Sequence, residues 1–376
     1  MKKKIAIIGS GLAGLTLASL LKKNTNFEFS VYEKESSLNL DEGFGIQLAV
    51  NSVSILNKIG FTQINKSEKC HPLKLDFYSE NSKKICDLDL TSFNSENEKY
   101  TTIKRSSLIK FLKGKLLTNS LIFSKEINNV VEKNQKININ FTDGSIEEVD
   151  YLVVSDGVFS NSKIAIENKI FKPIYYGASA FRIQIKSQNI SNFNINNISL
   201  VMGANSHLVS YPINQDKELN IVYVIRKKLE SNEDIKQVLN NSILNENKNL
   251  KNLFQKTSKS WPLYISNKPT KSIYKNVFYI GDAFYTFPPT MAQGASQAIE
   301  SAYEIFNLIK DNNSDIQNVY FNNRLKRTNI VTKRSKFNYF SFHISNQILR
   351  IFRNKVLKFL VKNKKFINSY LGKVYK

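Results

Sequence analysis

Residues 5–14 read Ile-Ala-Ile-Ile-Gly-Ser-Gly-Leu-Ala-Gly, an apolar run that turns into G-x-G-x-x-G. Ile5 to Ile8 suit a strand buried on both faces of a parallel sheet. Gly9 permits the tight turn that follows. Gly11 lets the backbone approach a pyrophosphate, and Gly14 lets a helix pack on the strand. Leu12, Ala13 and the residues on to Lys23 read as that helix, with Leu15, Ala18 and Leu20 or Leu21 toward the core. Its first N–H groups and its dipole favour phosphates. A second strand, Phe27 to Tyr32, ends in Glu33 and Lys34. The acid stands about 20 residues beyond the glycines, where a ribose hydroxyl needs an acceptor. G-x-G-x-x-G alone says little. Strand, glycines, helix, strand and acid in this order predict a nucleotide-binding unit rather than a bare glycine turn.

The rest of the chain is long enough to complete that unit and add a second one. It has 376 residues, 41 % hydrophobic and 11 % aromatic, which fits a globular protein and excludes a disordered one. Cys70 and Cys86 have neither C-x-x-C spacing nor a histidine cluster, so no metal site is expected. They read as free thiols of a reducing cytoplasm. The Lys-rich start is not expected to be a signal peptide, because its apolar stretch is broken by glycines and continues as a fold element. No run of about 18 apolar residues predicts a transmembrane helix. The formal charge of +23 is concentrated at the end, with no acid after Asp315. Such a charge suits nucleic acid, anionic lipid or acidic substrates. No nucleic-acid motif accompanies it, and a solvated surface is the favoured reading.

Along the chain, Asn51 to Ile59 reads as a helix ending at Gly60, and Leu73 to Tyr78 and Ile85 to Leu90 as strands of another sheet. Ser106 to Leu117 reads as a helix. Short strands follow over Leu121 to Phe141, with a turn at Asp143-Gly144. Tyr151 to Ser155 is a short apolar strand ending at Asp156-Gly157. Residues 175–226 hold β-rich runs that suit an antiparallel or mixed sheet. Glu230 to Phe254 reads as a polar helix, Asn276 to Ile280 as a buried strand, Gln293 to Ile309 as a helix, and the tail from about Asn329 as helices. The expected class is α/β: a Rossmann-like nucleotide domain interleaved with a β-sheet substrate domain and followed by a helical tail. The expected boundaries are 1–70, 98–170 and 265–328 for the first, 71–97 and 171–264 for the second, and 329–376 for the tail.

Three further elements carry chemistry. Arg105 precedes a helix, where an always-charged fork suits a phosphate or ribose. Asp156-Gly157 with Ser160 lets the chain pass close to a ligand while Asp156 accepts hydrogen bonds. The third, residues 280–302, begins Ile-Gly-Asp-Ala-Phe-Tyr-Thr-Phe-Pro-Pro-Thr-Met-Ala-Gln-Gly-Ala. There a strand ends at Gly281 and delivers Asp282 to a ribityl or ribose hydroxyl, and Pro288 and Pro289 stiffen the connection. Gln293, Gly294 and Ala295 open a helix whose N–H groups suit the negative charge of a reduced flavin ring.

Taken together, these segments resemble the class A FAD-dependent aromatic hydroxylases, the superfamily of para-hydroxybenzoate and salicylate hydroxylases. Secondary likenesses are residues 43–48, with Gly45 and Gln47, residues 206–212, and Trp261-Pro262-Leu263-Tyr264. The chain departs from the family pattern where Phe284 and Tyr285 replace Ala-His, where Ala292 replaces the first Gly of Gly-Gln-Gly, and where Lys163 stands near the usual Arg. The resemblance implies FAD held by Gly9, Gly11, Leu12, Ala13, Gly14, Glu33, Lys34, Gly45, Gln47, Arg105, Asp156, Gly157, Gly281, Asp282, Pro289, Gln293, Gly294 and Ala295. It also implies NADH or NADPH as reductant, and oxygen transfer to a small aromatic or phenolic ring through a flavin C4a-hydroperoxide.

A catalytic base is not signalled. His207, Tyr211 and Arg182 are the candidates, an Arg being able to hold a carboxylate bidentately. His207 reads first as a packed core histidine. Phe284, Tyr285 and Phe287 suit either ring stacking or core packing. From Gln347 to Tyr370, Ile348, Phe352, Val356, Phe359 and Leu360 alternate with Lys355, Lys358 and Lys362 as an amphipathic basic helix. It is expected to pack on the body, the alternative being peripheral contact with a membrane. The expected protein is cytoplasmic, a monomer or homodimer, with no nucleic-acid partner. The competing activities are a membrane-associated hydroxylase of a quinone precursor, a flavin oxidoreductase that inserts no oxygen, and a flavin-binding partner protein.

Overall fold

The computed structural model describes residues 2–38, 40, 44–189, 194–227, 229, 238, 243–246, 248–256 and 259–375. Its centre is a five-stranded parallel sheet in the order Val277–Tyr279, Tyr151–Val154, Lys3–Ile8, Phe27–Tyr32, Leu121–Ile122. The Ile-Ala-Ile-Ile run occupies the middle strand, where both faces are covered. Ile5, Ala6 and Ile7 are fully buried there, as an uninterrupted apolar strand requires. The helices Leu12–Leu21 and Gly294–Lys310 cover it, burying Leu17, Ala18 and Leu21 from one and Ala302, Ile305 and Ile309 from the other. An antiparallel three-stranded sheet of Ile127–Lys133, Lys136–Phe141 and Ile146–Val149 lies alongside.

The β-rich middle forms a seven-stranded mixed sheet. Its order is Trp261–Ile265, Ile174–Lys186, Glu218–Ile225, Ser206–Pro212, Ile198–Met202, Lys74–Ser79, Lys84–Asp89. Among the described residues, only its Ile198–Met202 and Lys74–Ser79 pair is parallel. A small sheet of Gly45–Leu48, Thr101–Lys104 and Lys69–Cys70 connects this layer to the nucleotide unit. Cys70 and Cys86 are free thiols.

The tail departs from expectation. One helix runs over Ile316–Phe342, starting well before Asn329, because the Asp315 side chain accepts from Asn318 N (3.4 Å) and caps it. The expected helix over 347–370 stops at Leu360. Asn363 then caps a new turn, Lys364–Ile367, by accepting from Phe366 N at 3.0 Å. The chain end turns inward, burying Leu371, Val374 and Tyr375, with Tyr375 against Phe93 and Tyr100. Arg327 clasps these pieces together. It reaches Glu300 at 2.5 Å and the carbonyls of Lys373 and Val374 at 2.6 Å each. The polar helix expected over 230–254 lies largely outside the described residues. Within them, Lys248–Gln255 is helical.

Candidate active site

Four of the expected ligand-contacting segments leave the carboxyl ends of adjacent parallel strands. Ile8 pairs with Tyr32 on one side and with Val154 on the other, and Val154 pairs with Tyr279. The next residues along each chain are therefore Gly9, Glu33, Ser155-Asp156 and Ile280-Gly281. This is the edge of an open α/β sheet where ligands bind. The turn there is tight: Gly9 has φ +96°, and a Cβ on it would stand 2.8 Å from Ser155 O. A Cβ on Gly14 would stand 2.1 Å from Gly9 O. Ser155 stitches the turn by donating its hydroxyl to the carbonyls of Ile8 (2.7 Å) and Gly9 (3.0 Å).

A cavity of about 250 Å³ opens at this point, lined by Gly9, Gly11, Glu33, Arg105, Asp156 and Gly157 among others. Lys34 lines it too. Glu33 Oε2 accepts from both Ser10 N (2.9 Å) and Ser10 Oγ (2.6 Å), and Oε1 accepts from Glu35 N at 3.2 Å. Among the described residues no side chain caps the Leu12–Leu21 helix, and no acid sits in its first turn. Its leading N–H groups are suited to an anion. Asp156 Oδ2 accepts from Ser162 N at 3.2 Å, while its buried Oδ1 has no hydrogen-bond partner among the described residues. Burial pushes the Asp156 carboxyl up, and hydrogen bonds from Ser160 and Ser162 oppose it. Ser160 caps the Asn161–Glu167 helix. Behind it Lys163 is buried against the rings of Phe171 and Tyr279, and burial brings its ammonium down to about 8.

The second half of the cleft is built from residues 281–296. Gly281 lies against Ala13, whose Cβ a side chain at 281 would meet at 3.1 Å. Asp282 follows on an exposed turn, and desolvation by the protein around it pushes its carboxyl up to about 6. The Pro289–Met291 turn ends at Ala292 (φ +51°), after which Gln293 precedes the Gly294–Lys310 helix. That helix also starts without a side-chain cap among the described residues and without an acid in its first turn. Ala49 N donates to Ser296 Oγ at 3.4 Å, which brings the Gly45–Leu48 strand to the first turn containing Gly294 and Ala295. Arg105 N donates to Phe44 O at 2.9 Å and ties the cavity to the same strand.

The strand meets the seven-stranded sheet through Gly45. Its N–H donates to Asn220 Oδ1 (2.9 Å), and its carbonyl accepts from Tyr211 OH (2.7 Å). Gln47 Oε1 accepts from Tyr100 OH at 2.8 Å. Arg182, from the same sheet, has its guanidinium 5.7 Å from the centroids of both Phe44 and Trp261, rings that meet edge to face at 5.1 Å. Its Nε is buried with no hydrogen-bond partner among the described residues, and burial lowers its proton affinity. Sequence reasoning singled out Arg182, Tyr211, Gly45 and Gln47 but missed Phe44, Trp261, Asn220 and Tyr100 as their immediate company. Trp261 and Phe44 both lay in quoted motifs, and an aromatic beside Gly45 was the available signal. Nothing local announced Asn220 or Tyr100.

His207 sits elsewhere on the sheet. It is buried, 2.7 Å through Nδ1 from His343 Nε2 and edge to face with Phe342. Burial holds His207 well below the usual imidazole range, the neighbouring His343 adding to the effect, and brings His343 down to about 4. Of the three aromatics open to two readings, Phe284 packs in the core against Tyr320 and Phe321, and Phe287 is buried in a second cluster. Tyr285 is half-buried between the two clusters.

The FAD-binding-domain family, in the description "FAD binding domain", matches residues 2–312. The 3-amino-4-hydroxybenzoate 2-monooxygenase PtmB3 of Streptomyces platensis is 25 % identical over 360 residues, covering 91 % of this chain and 89 % of that protein. Among solved structures, Klebsiella pneumoniae HpxO complexed with FAD and uric acid superposes with a TM-score of 0.84 at 16 % identity, over 99 % of this chain and 96 % of that one. A salicylate hydroxylase substrate complex superposes with a TM-score of 0.77 at 19 % identity, over 100 % and 97 %.

Proposed function

The chain belongs to the FAD-binding-domain family and is a class A FAD-dependent monooxygenase, and we propose that it uses NADH or NADPH and O2 to hydroxylate a small aromatic or phenolic compound. The observation that carries this reading is the joining of two features through one short strand. Gly45–Leu48 links the glycine-lined cavity, through Phe44 and Arg105, to Arg182, Tyr211 and Asn220 of the sheet. The monooxygenase and hydroxylase relatives act on rings of this class by name.

The residues present fit FAD. The uncapped start at Leu12 and Ala13 suits its pyrophosphate, and Arg105 adds a fixed positive charge. In this reading Glu33 accepts from the adenosine ribose, and Asp282 from a ribityl hydroxyl. The unpartnered Asp156 Oδ1 has an acceptor to spare in the same cavity. The helix start at Gln293, Gly294 and Ala295, with Pro289 before it, favours negative charge on a ring lying there. Bound FAD would supply hydride acceptance and the activation of O2.

On the sheet side, Arg182 holds the anionic group of the substrate, a carboxylate or a phenolate. A phenolate is favoured beside a guanidinium that burial has stripped of water. Phe44 and Trp261 flank that cation and keep water from it. Tyr211 is a positioning residue: its hydroxyl fixes the Gly45 carbonyl and so the strand that connects cavity and sheet.

The test is product mass after aerobic turnover with NADH or NADPH across a panel of phenols, aromatic acids and hydroxypyridines. The expected result is a gain of one oxygen atom, with nicotinamide oxidation stimulated by the compound that is modified. Peroxide as the sole product across the panel would overturn the aromatic assignment and leave an oxidoreductase that inserts no oxygen.

A further inference from the structure

The tail helix turns its apolar side outward. Over Gln347–Leu360, Ile348, Leu349, Ile351, Phe352 and Phe359 are 76, 51, 53, 65 and 69 % exposed. Ile348, Phe352 and Phe359 stand at spacings of four and seven, one stripe of a helix, with Lys355 inside it and Lys358 at its margin. The opposite side faces the body with its charges. Arg350 pairs with Glu80, and buried Arg353 donates Nη1 to Ser341 O at 3.0 Å. Leu357 adds an apolar contact there. Helices of a globular protein dock by the apolar stripe; here that stripe is left over. The preceding helix exposes Phe337 and Phe340 as well, at 56 and 62 %. Apolar side chains gathered in this way mark a contact surface.

The charge around them selects the occupant. Residues 316–376 contain fifteen lysines and arginines and no aspartate or glutamate, so they carry 15 of the 23 net positive charges. A second copy of this chain would bring like charge against like charge with no acid in the tail to compensate. Nucleic acid would satisfy the lysines and leave Ile348, Phe352 and Phe359 without a partner. A helix of 14 residues is too short to span a bilayer, and among the described residues no helix is long and apolar enough to do so.

We propose that the Gln347–Leu360 helix docks this monooxygenase on an anionic membrane surface. The helix lies in the plane of the interface. Ile348, Phe352 and Phe359 enter the acyl boundary, while Lys355, Lys358, Lys362, Lys364 and Lys365 face lipid headgroups. This goes beyond the hydroxylase reading and does not depend on it.

The test is co-sedimentation of the FAD-loaded full-length protein with vesicles of phosphatidylcholine alone and with about one third phosphatidylglycerol. The expected result is binding to the anionic vesicles and little to the neutral ones. Phe352→Glu with Phe359→Glu is expected to weaken it about tenfold or more, as is Lys355→Gln with Lys358→Gln and Lys362→Gln. These side chains are exposed, and an unchanged flavin spectrum and circular dichroism spectrum would show that each variant folds. Failure of the wild type to sediment with either vesicle at low salt would overturn the proposal. So would vesicle binding that both variant sets leave intact. Sedimentation velocity showing a dimer that F352E/F359E dissociates would assign the face to a second copy instead. Duplex DNA binding without vesicle binding would assign it to nucleic acid.

Discussion

The glycine-lined cavity and the Arg182 corner of the seven-stranded sheet are neighbours built in opposite ways. In the cavity the glycine turns follow directly on the ends of parallel strands, and Arg105 joins them from the small antiparallel sheet. At the corner side chains do the contacting. Arg182, Tyr211, Asn220 and Trp261 come from four different strands; Tyr211 and Asn220 face each other across one hairpin, while Arg182 and Trp261 reach them from strands far away in sequence. A backbone site constrains its own local sequence, because only certain residues permit the turn. A side-chain site constrains only which face of a strand a residue occupies, and period two is satisfied by many residues. The cavity should therefore fail abruptly when a turn residue is altered. The corner should lose substrate and keep its fold.

The largest effect is expected at Gly14. Valine there would place carbon 2.1 Å from Gly9 O and 2.6 Å from Ser155 Oγ. Backbone cannot move aside cheaply, so the cost exceeds the roughly 3 kcal/mol of ordinary overpacking. Gly14→Val should yield little folded protein, read by circular dichroism and by recovery from expression. Gly11→Ala offers the contrast, since its Cβ would meet nothing nearer than 4.0 Å. It should fold normally and bind FAD about tenfold or more weaker, because only the ligand approaches that closely. Normal FAD affinity in G11A would remove the pyrophosphate from this turn.

Next comes Arg182→Met, which keeps the aliphatic stem and removes the charge. With an acidic or phenolic substrate, kcat/KM should fall about a hundredfold, the scale of a lost charge-assisted pair. The FAD dissociation constant should stay within about twofold. Equal losses in both would mean that Arg182 serves the cofactor rather than the substrate. A smaller effect is expected for Glu33→Gln, which keeps the shape but weakens the acceptor for Ser10 and for a ribose hydroxyl. FAD affinity should fall about tenfold, followed by fluorescence titration.

The same contrast sets what the sequence could disclose. The apolar run at Ile5 to Ile8, the three glycines and Glu33 are contiguous or nearly so, and the strands and helix were legible to within two or three residues. Gly281 was legible because a short apolar strand ran directly into it. The company of Arg182 was not, since Trp261 reaches Phe44 only through tertiary pairing of the Trp261–Ile265 and Ile174–Lys186 strands. The tail shows a third case. Its amphipathic pattern was visible from Ile348 to Phe359, and the expected helix does pack on the body, but not by that stripe. The structure docks the helix by Arg350 and Arg353 because Glu80 and the Ser341 carbonyl lie where they can be met. Periodicity reports that a helix has two faces, and only the partners decide which one is covered. Asp315 as the start of the long helix was missed because a capping residue is a single position with no period.

The smallest expected effect concerns His207 and decides which region it serves. His207 and His343 share one hydrogen bond in a buried setting that keeps both neutral. In the unfolded chain each recovers a proton affinity near 6.5, whereas folded His343 is held near 4. The unfolded chain therefore takes up protons that the fold refuses. The stability is fully present above about pH 6.5 and is lost as pH falls toward 4. His343 alone should cost about 0.7 kcal/mol between pH 7 and pH 6, with His207 acting in the same direction. Urea midpoints at the two pH values would read this loss. His207→Gln keeps a side chain able to hydrogen-bond to His343 and removes one titrating group, so the acid sensitivity should shrink. If the pair is structural, the pH profile of kcat/KM should keep both limbs at their wild-type positions in H207Q. Loss of the limb that reports a base would move His207 out of the core and into the proton chemistry of the reaction. The histidine would then join Arg182 as a side chain named from the sequence whose partners only the fold supplied.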